Sequence, residues 1–195
     1  MAVPLAMGFP PTAARPRLVE KLVADIRAKG NHTSAGDIGY HYVLAALLQA
    51  GRSEVIFDMA NERTAPSYAA QLAAGSTALT EAWDSNPNSS QNHFMLGHIE
   101  EWFYAGLAGL RIDPAAPGLN HLILQPEPVG DVTWVKASWD SPRGLIAVDW
   151  RIEGGTFRYT VDLPPGVTAE VRMPTGAPRA IGSGHHSLES VLRAR

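Results

Sequence analysis

Apolar residues recur along this chain with one period first and another later. Over residues 17–29, Leu18, Leu22, Val23 and Ile26 fall on one helical face, and Gly30-Asn31 closes the run. Residues 38–50 predict a second helix, apolar nearly all round through Ile38, Tyr42, Val43, Leu44, Leu47 and Leu48, with Gly51 behind it. Residues 54–61 predict a short third helix, and 66–74 read as an irregular stretch or a small helix. Asn92 has the side chain of an N-cap and predicts a last helix reaching about Leu110. The apolar set of that helix, Met95, Ile99, Trp102, Phe103, Leu107 and Leu110, exceeds one stripe and calls for burial on most sides.

Past the proline-rich hinge Asp113-Pro114-Ala115-Ala116-Pro117-Gly118 the period falls to two. Phe157, Tyr159, Val161 and Leu163 alternate with Thr156, Arg158, Thr160 and Asp162, and short strands are predicted at 121–125, 132–139, 145–152, 156–163 and 168–173. Turn formers separate them: Ser141-Pro142-Arg143-Gly144, Glu153-Gly154-Gly155 and Pro164-Pro165-Gly166. The pattern predicts an α+β chain in two parts, a helical half over 1–113 and an antiparallel β-sandwich over 114–195.

Composition narrows the function classes. The 195 residues suffice for one large or two small domains, and 45% hydrophobic with 18% charged content describes a globular chain. A formal charge of −3 and a pI near 6.1 offer nucleic acid no basic face. No apolar run approaches the ~20 residues that span a bilayer. With no cysteine, disulfides and thiolate metal sites are excluded. The apolar start, Met1 to Pro10, lacks a basic region and contains Pro4, so it reads poorly as a signal peptide, and a cytoplasmic location is expected. A G-x-S-x-G elbow and a phosphate-binding glycine loop are both missing; Gly154-Gly155 lies between two strands as a hairpin former.

Candidate chemistry gathers between Glu81 and His93. Glu81, Trp83, Asp84 and His93 put two carboxylates, an indole and an imidazole into one short stretch before an apolar helix. Indole faces stack on sugar rings, while carboxylates and imidazoles manage hydroxyl groups and protons. A carboxylate beside aromatic rings can be tuned into a general acid or base. Glycoside hydrolysis usually needs two opposed carboxyl groups, so the stretch reads as half of a carbohydrate-processing site. Singly, each residue has a plainer reading: Glu81 a solvated loop carboxylate, Trp83 a core residue, His93 an imidazole satisfied by its own loop. At the first turn of a helix, His93 would be held neutral by the helix dipole.

A metal reading competes with this one. Asp37 and His41 stand at i, i+4 on one helix face with His32 shortly before them, though without an H-E-x-x-H signature. The carbohydrate reading needs neither metal nor cofactor. His185-His186 reads as part of an exposed Gly/Ser tail, and Glu100-Glu101 as a solvated rim with Glu100 bordering the site.

Longer motifs strengthen the sugar reading. His32-Thr33-Ser34-Ala35-Gly36-Asp37-Ile38-Gly39, Gly75-Ser76-Thr77-Ala78-Leu79-Thr80-Glu81-Ala82-Trp83, and Ser90-Gln91-Asn92-His93 with Gly97, Glu101-Trp102-Phe103-Tyr104 and Leu107-Ala108-Gly109-Leu110 occur in order. With Pro117-Gly118, Ile123, Gln125-Pro126 and Ser141 to Gly144 behind them, the chain resembles the C-terminal part of the bacterial α-L-rhamnosidase family of glycoside hydrolases. The resemblance implies that the helical half is part of an (α/α)6 barrel and that the reaction inverts the anomeric carbon. It implies Glu81 as the general base, Trp83 and His93 in the rhamnose subsite, and Asp37 near it. Asp84 joins the substrate-binding set as the neighbour of Trp83.

Two departures from the family pattern stand out. Thr80 occupies the place of a tryptophan before the catalytic glutamate, and the chain begins inside the pattern, without the segment that supplies the general acid. A partial barrel would expose an apolar seam, so a homo-oligomer packed through the helical half is expected. Two other functions stay open: a non-catalytic carbohydrate-binding or assembly module, and a metal-dependent hydrolase using His32, Asp37 and His41.

Overall fold

The computed structural model describes residues 1–84 and 86–192, which divide into two compact units, Met1–Trp102 and Phe103–Arg195. The first unit contains α1 (Ala2–Ala6), α2 (Arg15–Ala28), α3 (Asp37–Gln49), α4 (Ser53–Asn61), α5 (Tyr68–Ala73) and α6 (Ile99–Trp102). Pro4 sits in the first turn of α1, where its missing N–H costs nothing. Pro16 opens α2 in the same way, and Asn31, at φ 65°, follows Gly30, at φ 67°, beyond its end. Leu22, Val23 and Ile26 are the buried stripe of α2, as their spacing requires. Arg27 bonds Asp58 at 2.5 Å and Arg52 bonds Glu20 at 2.6 Å, tying α2 to α4 and to the turn before it.

Helix α3 packs against α1, α4 and α6. Its buried set is Tyr40, Val43, Leu44, Ala46 and Leu47, with spacings of three, four, six and seven from Tyr40. Ile38, expected in the apolar ring, is 70% exposed, and Tyr42 is only half-buried. The helix is therefore amphipathic rather than enclosed on all sides.

The long last helix does not form. A 3-10 turn at Phe94–Leu96, the single turn of α6, and a π-helical turn at Phe103–Leu107 replace it, and a strand begins at Leu110. Glycine explains both breaks. A Cβ at Gly97 would lie 2.9 Å from the Phe94 carbonyl oxygen, and one at Gly109, where φ is +78°, would lie 2.2 Å from the Pro126 nitrogen. The N-cap position falls to His93 rather than Asn92, and it precedes the 3-10 turn without a side-chain cap bond. Three residues carry too few aligned peptides for the dipole effect expected at His93. Phe103, expected to be buried, is 41% exposed.

The second unit holds two four-stranded sheets. One joins β1 (Leu110–Ile112), β2 (His121–Leu124), β6 (Thr168–Val171) and β7 (Arg179–Ile181); the other joins β3 (Trp134–Ser141), β4 (Gly144–Glu153), β5 (Thr156–Leu163) and β8 (Gly184–Val191). The second sheet is antiparallel throughout, but β2 and β6 pair in parallel, His121 with Thr168 and Leu124 with Val171, so the first sheet is mixed. On β5, Phe157, Tyr159, Val161 and Leu163 are buried while Arg158 and Asp162 are exposed, following the alternation in the sequence. The Gly/Ser tail is strand β8, where exposed His185 contacts Asp162 at 2.7 Å.

Two core aromatics fix where this unit starts. Trp150 Nε1 donates to the Leu107 carbonyl at 2.7 Å and Tyr159 Oη donates to the Ala108 carbonyl at 3.1 Å. Because β1 also pairs with β2, residues 103–113 belong to the β unit, and the units part upstream of the proline hinge where the period changes. Among the described residues no helix is long and apolar enough to cross a membrane.

Candidate active site

Glu81 lies in the irregular segment between α5 and α6, held by a short set of hydrogen bonds. Ser67 caps α5 by accepting from Ala70 N at 3.0 Å, and buried Gln71 accepts from Thr80 N at 3.4 Å. Thr80, 1% exposed, donates its hydroxyl to the Ala82 carbonyl at 2.7 Å. Thr80 thus braces the loop from inside.

Residues 79–81 run beside residues 90–93. Glu81 N donates to Ser90 O at 3.0 Å, Ser90 N donates to Glu81 Oε2 at 3.1 Å, and His93 N donates to Leu79 O at 2.7 Å. Two residues of extended chain add at most about 7 Å to such a bond, so the Glu81 and His93 backbones lie within roughly 10 Å of each other. One carboxylate oxygen of Glu81 is oriented by a backbone N–H, and among the described residues Oε1 has no hydrogen-bond partner. Glu81 itself is exposed.

Trp83 is half-buried, and its N–H is already engaged, donating to the Ala35 carbonyl at 3.0 Å. Its ring meets Tyr40 edge-on at 5.1 Å and Tyr68 edge-on at 5.2 Å, while the two tyrosines stand 6.0 Å apart. Tyr68 donates its hydroxyl to the Leu96 carbonyl. Burial pushes both phenols well above their ordinary range, so they remain protonated donors. Trp83 therefore pins the site-bearing loop to the start of α3 as well as presenting a partly exposed ring. Tyr40 and Tyr68 are absent from the sequence-based set. The signals for them are the spacing of Tyr40 with Val43, Leu44 and Leu47, and the place of Tyr68 after the N-cap Ser67.

Asp37, half-buried, opens α3; its Oδ1 accepts from Ile38 N at 2.8 Å, and its carbonyl meets His98 Nε2 at 3.1 Å. It stands two residues from Ala35, which takes the Trp83 N–H, so Asp37 and Trp83 share a neighbourhood. Asp84 is exposed and accepts from Asn86 N at 3.2 Å, the part of a turn residue.

The metal trio does not converge. Both ring nitrogens of His32 are engaged, Nδ1 with Lys29 O at 2.8 Å and Nε2 with Thr64 Oγ1 at 3.0 Å. His41 instead faces Glu101 at 3.4 Å and lies 5.3 Å from the His98 ring. No group of three or more His, Asp or Glu side chains is placed to hold a metal among the described residues. Glu101, rather than Glu100, makes the ion-pair contact of the rim pair.

A helical unit that carries a glutamate, an indole and an imidazole on an irregular segment is thus followed by a two-sheet β unit. Residues 1–107 match the bacterial alpha-L-rhamnosidase 6 hairpin glycosidase domain, and residues 109–187 match the bacterial alpha-L-rhamnosidase C-terminal domain. The chain belongs to the bacterial alpha-L-rhamnosidase family. It is 34% identical over 190 residues to an alpha-L-rhamnosidase of Streptomyces avermitilis, covering 93% of this chain and 18% of that protein. An alpha-L-rhamnosidase of an Alteromonas species is 28% identical over 184 residues, covering 90% of this chain and 19% of that one.

Solved structures agree. The Streptomyces avermitilis alpha-L-rhamnosidase complexed with L-rhamnose superposes with a TM-score of 0.89 at 30% identity, over 97% of this chain and 21% of that one. The alpha-L-rhamnosidase from Dictyoglumus thermophilum gives 0.88 at 25% identity, over 96% and 24%. The chain spans less than a fifth of the length of these two curated relatives, 18% and 19%.

Proposed function

We propose that this chain is the base-bearing, rhamnose-binding part of an inverting alpha-L-rhamnosidase. The observation that supports the reading is the bridge between residues 79–81 and 90–93, which joins the backbone at His93 to the strip of a glutamate whose Oε2 is held by a backbone N–H. Family membership and the Streptomyces avermitilis relative solved with L-rhamnose support it. In this reading Glu81 Oε1 takes a proton from water, the water oxygen bonds to the anomeric carbon, and the bond from that carbon to the leaving oxygen breaks. The leaving oxygen takes a proton from an acid carboxyl about 6.5–9.5 Å from Glu81, the spacing that leaves room for the water. That acid stands on another part of the toroid, and the chain assayed without it binds rhamnose and turns over a rhamnoside weakly. His93 and the exposed part of Trp83 contact the sugar, with Asp37 at its edge.

Calorimetry with L-rhamnose, paired with turnover of p-nitrophenyl α-L-rhamnoside, tests this. Glu81→Gln is expected to lower turnover by about 10²–10⁴-fold while rhamnose still binds. A rate that ignores Glu81→Gln overturns the base, and no rhamnose binding overturns the site. Binding with no turnover, even with the acid-bearing part present, turns the reading into that of a carbohydrate-binding module.

We also infer self-association through the helical unit. Ile38 and Leu72 are 70% and 72% exposed, and covering such faces is favourable by about 25 cal/mol per Å². Light scattering that returns 20.9 kDa at every concentration refutes this. Trp102 is not part of that surface: it is 2% exposed and donates to Ser53 Oγ at 2.9 Å, so a charge there affects folding.

A further inference from the structure

Phe94 is the most exposed of the large hydrophobic side chains among the described residues, at 83%. The backbone that carries it is held on both sides. Its neighbour His93 is bonded through N to Leu79 O at 2.7 Å, and its own carbonyl accepts from Gly97 N at 2.8 Å. Only glycine closes that turn, since a Cβ at Gly97 would come within 2.9 Å of the Phe94 oxygen. The His93 and Phe94 rings are parallel, 6.0 Å between centroids and 6° between planes, an offset stack that aligns the phenyl with the imidazole. A bare aromatic ring on a hydrogen-bonded turn is thus presented one residue from His93, on the strip bonded alongside Glu81.

The chemistry of the ring narrows what it meets. A phenyl has no donor or acceptor for sugar hydroxyls, whereas Trp and Tyr carry a polar handle. Its best complement is a flat apolar ring. We propose that Phe94 is the leaving-group platform of the site, stacking on a planar aromatic aglycone and favouring aryl rhamnosides. The proposal rests on the reading of His93 as a rhamnose-subsite residue, and names the substrate class of that same site.

Titration calorimetry with L-rhamnose, methyl α-L-rhamnoside and p-nitrophenyl α-L-rhamnoside separates the two. The unaltered chain is expected to bind the aryl rhamnoside about tenfold more tightly than the methyl rhamnoside, the upper range of one ring-stacking contact. That advantage is lost in Phe94→Ala, kept in Phe94→Tyr, and L-rhamnose binds all three proteins equally. Rhamnose binding without an aryl advantage, or with one that survives Phe94→Ala, overturns the platform and leaves the rhamnose site standing. Failure of the unaltered chain to bind rhamnose overturns both. If Phe94→Ala instead lowers the solution mass of the chain without touching the aryl advantage, the ring is covered by a second copy and the platform is overturned.

Discussion

In the β unit, Trp150 and Tyr159 are fully enclosed and donate to the carbonyls of Leu107 and Ala108 at 2.7 and 3.1 Å. In the helical unit, Trp83 and Tyr68 also donate to backbone carbonyls, those of Ala35 at 3.0 Å and of Leu96. The bond type is shared, but the surroundings differ. Trp150 sits on β4 in a sheet whose every strand is registered to its neighbour, so its ring belongs to a closed core. Trp83 sits half-buried on a loop with no regular structure of its own, and its bond holds residues 35 and 83 together across the chain. The comparison teaches that one device serves stability where the backbone is already paired, and the position of a loop where it is not. Loops positioned by such anchors are where function concentrates.

The contrast is sharpest at the tryptophans. Trp150→Ala is expected to cost about 3–5 kcal/mol, the range for emptying an enclosed aromatic site, read as a lower denaturant midpoint. A cost below about 1 kcal/mol, the size of a surface substitution, would show that the β core is not closed around it. Trp83→Phe, which keeps the ring packing and removes one donor, is expected to lower stability by only about 1 kcal/mol. The same variant weakens L-rhamnose binding several-fold, because the Ala35 anchor is lost; unchanged rhamnose affinity breaks the comparison.

The smallest effect lies in the loop between α4 and α5. The Thr64 hydroxyl, then the Thr64 and Arg63 N–H groups, hold the half-buried Glu62 carboxyl below the usual glutamate range, with His32 adding to the effect. A depressed folded-state value means that this group stabilises the fold above the unfolded glutamate value. The contribution fades as pH falls through the lowered one. Glu62→Gln should flatten that acid-side loss, and an NMR titration of Glu62 at or above about 4.3 would contradict it. The loop is expected to loosen as pH falls through the lowered Glu62 value while the β unit holds.

Much of the architecture was legible because it is local. The alternation over Thr156–Leu163 can be satisfied only by a strand with one buried face, and β5 is that strand. The stripe of Leu22, Val23 and Ile26 likewise specifies α2. The family motifs around Glu81, Trp83 and His93 were readable as linear strings, and the matches at 1–107 and 109–187 bear out the resemblance they carry. The extra strands β7 and β8 were harder to read, since Gly182, Ser183 and Gly184 look like a tail until β5 pairs with β8. The parallel pairing of β2 with β6 was not legible at all, because alternation in one strand says nothing about its neighbour's direction.

What the sequence by itself determined is the period of each segment, and with it the helical first part, the β second part and the chemistry clustered between Glu81 and His93. Only the tertiary structure decided that the last apolar run breaks into turns, because close approach at Gly109 to Pro126 is a contact between distant residues. It decided that Tyr40, not Ile38, turns inward, and that Trp83 spends its N–H on Ala35. It also left Phe94 in solvent and separated His32 from His41. The physical reason is range: hydrophobic period acts between residues a turn or a pleat apart, whereas burial and hydrogen-bond partners are allotted only once segments far apart in the chain pack together.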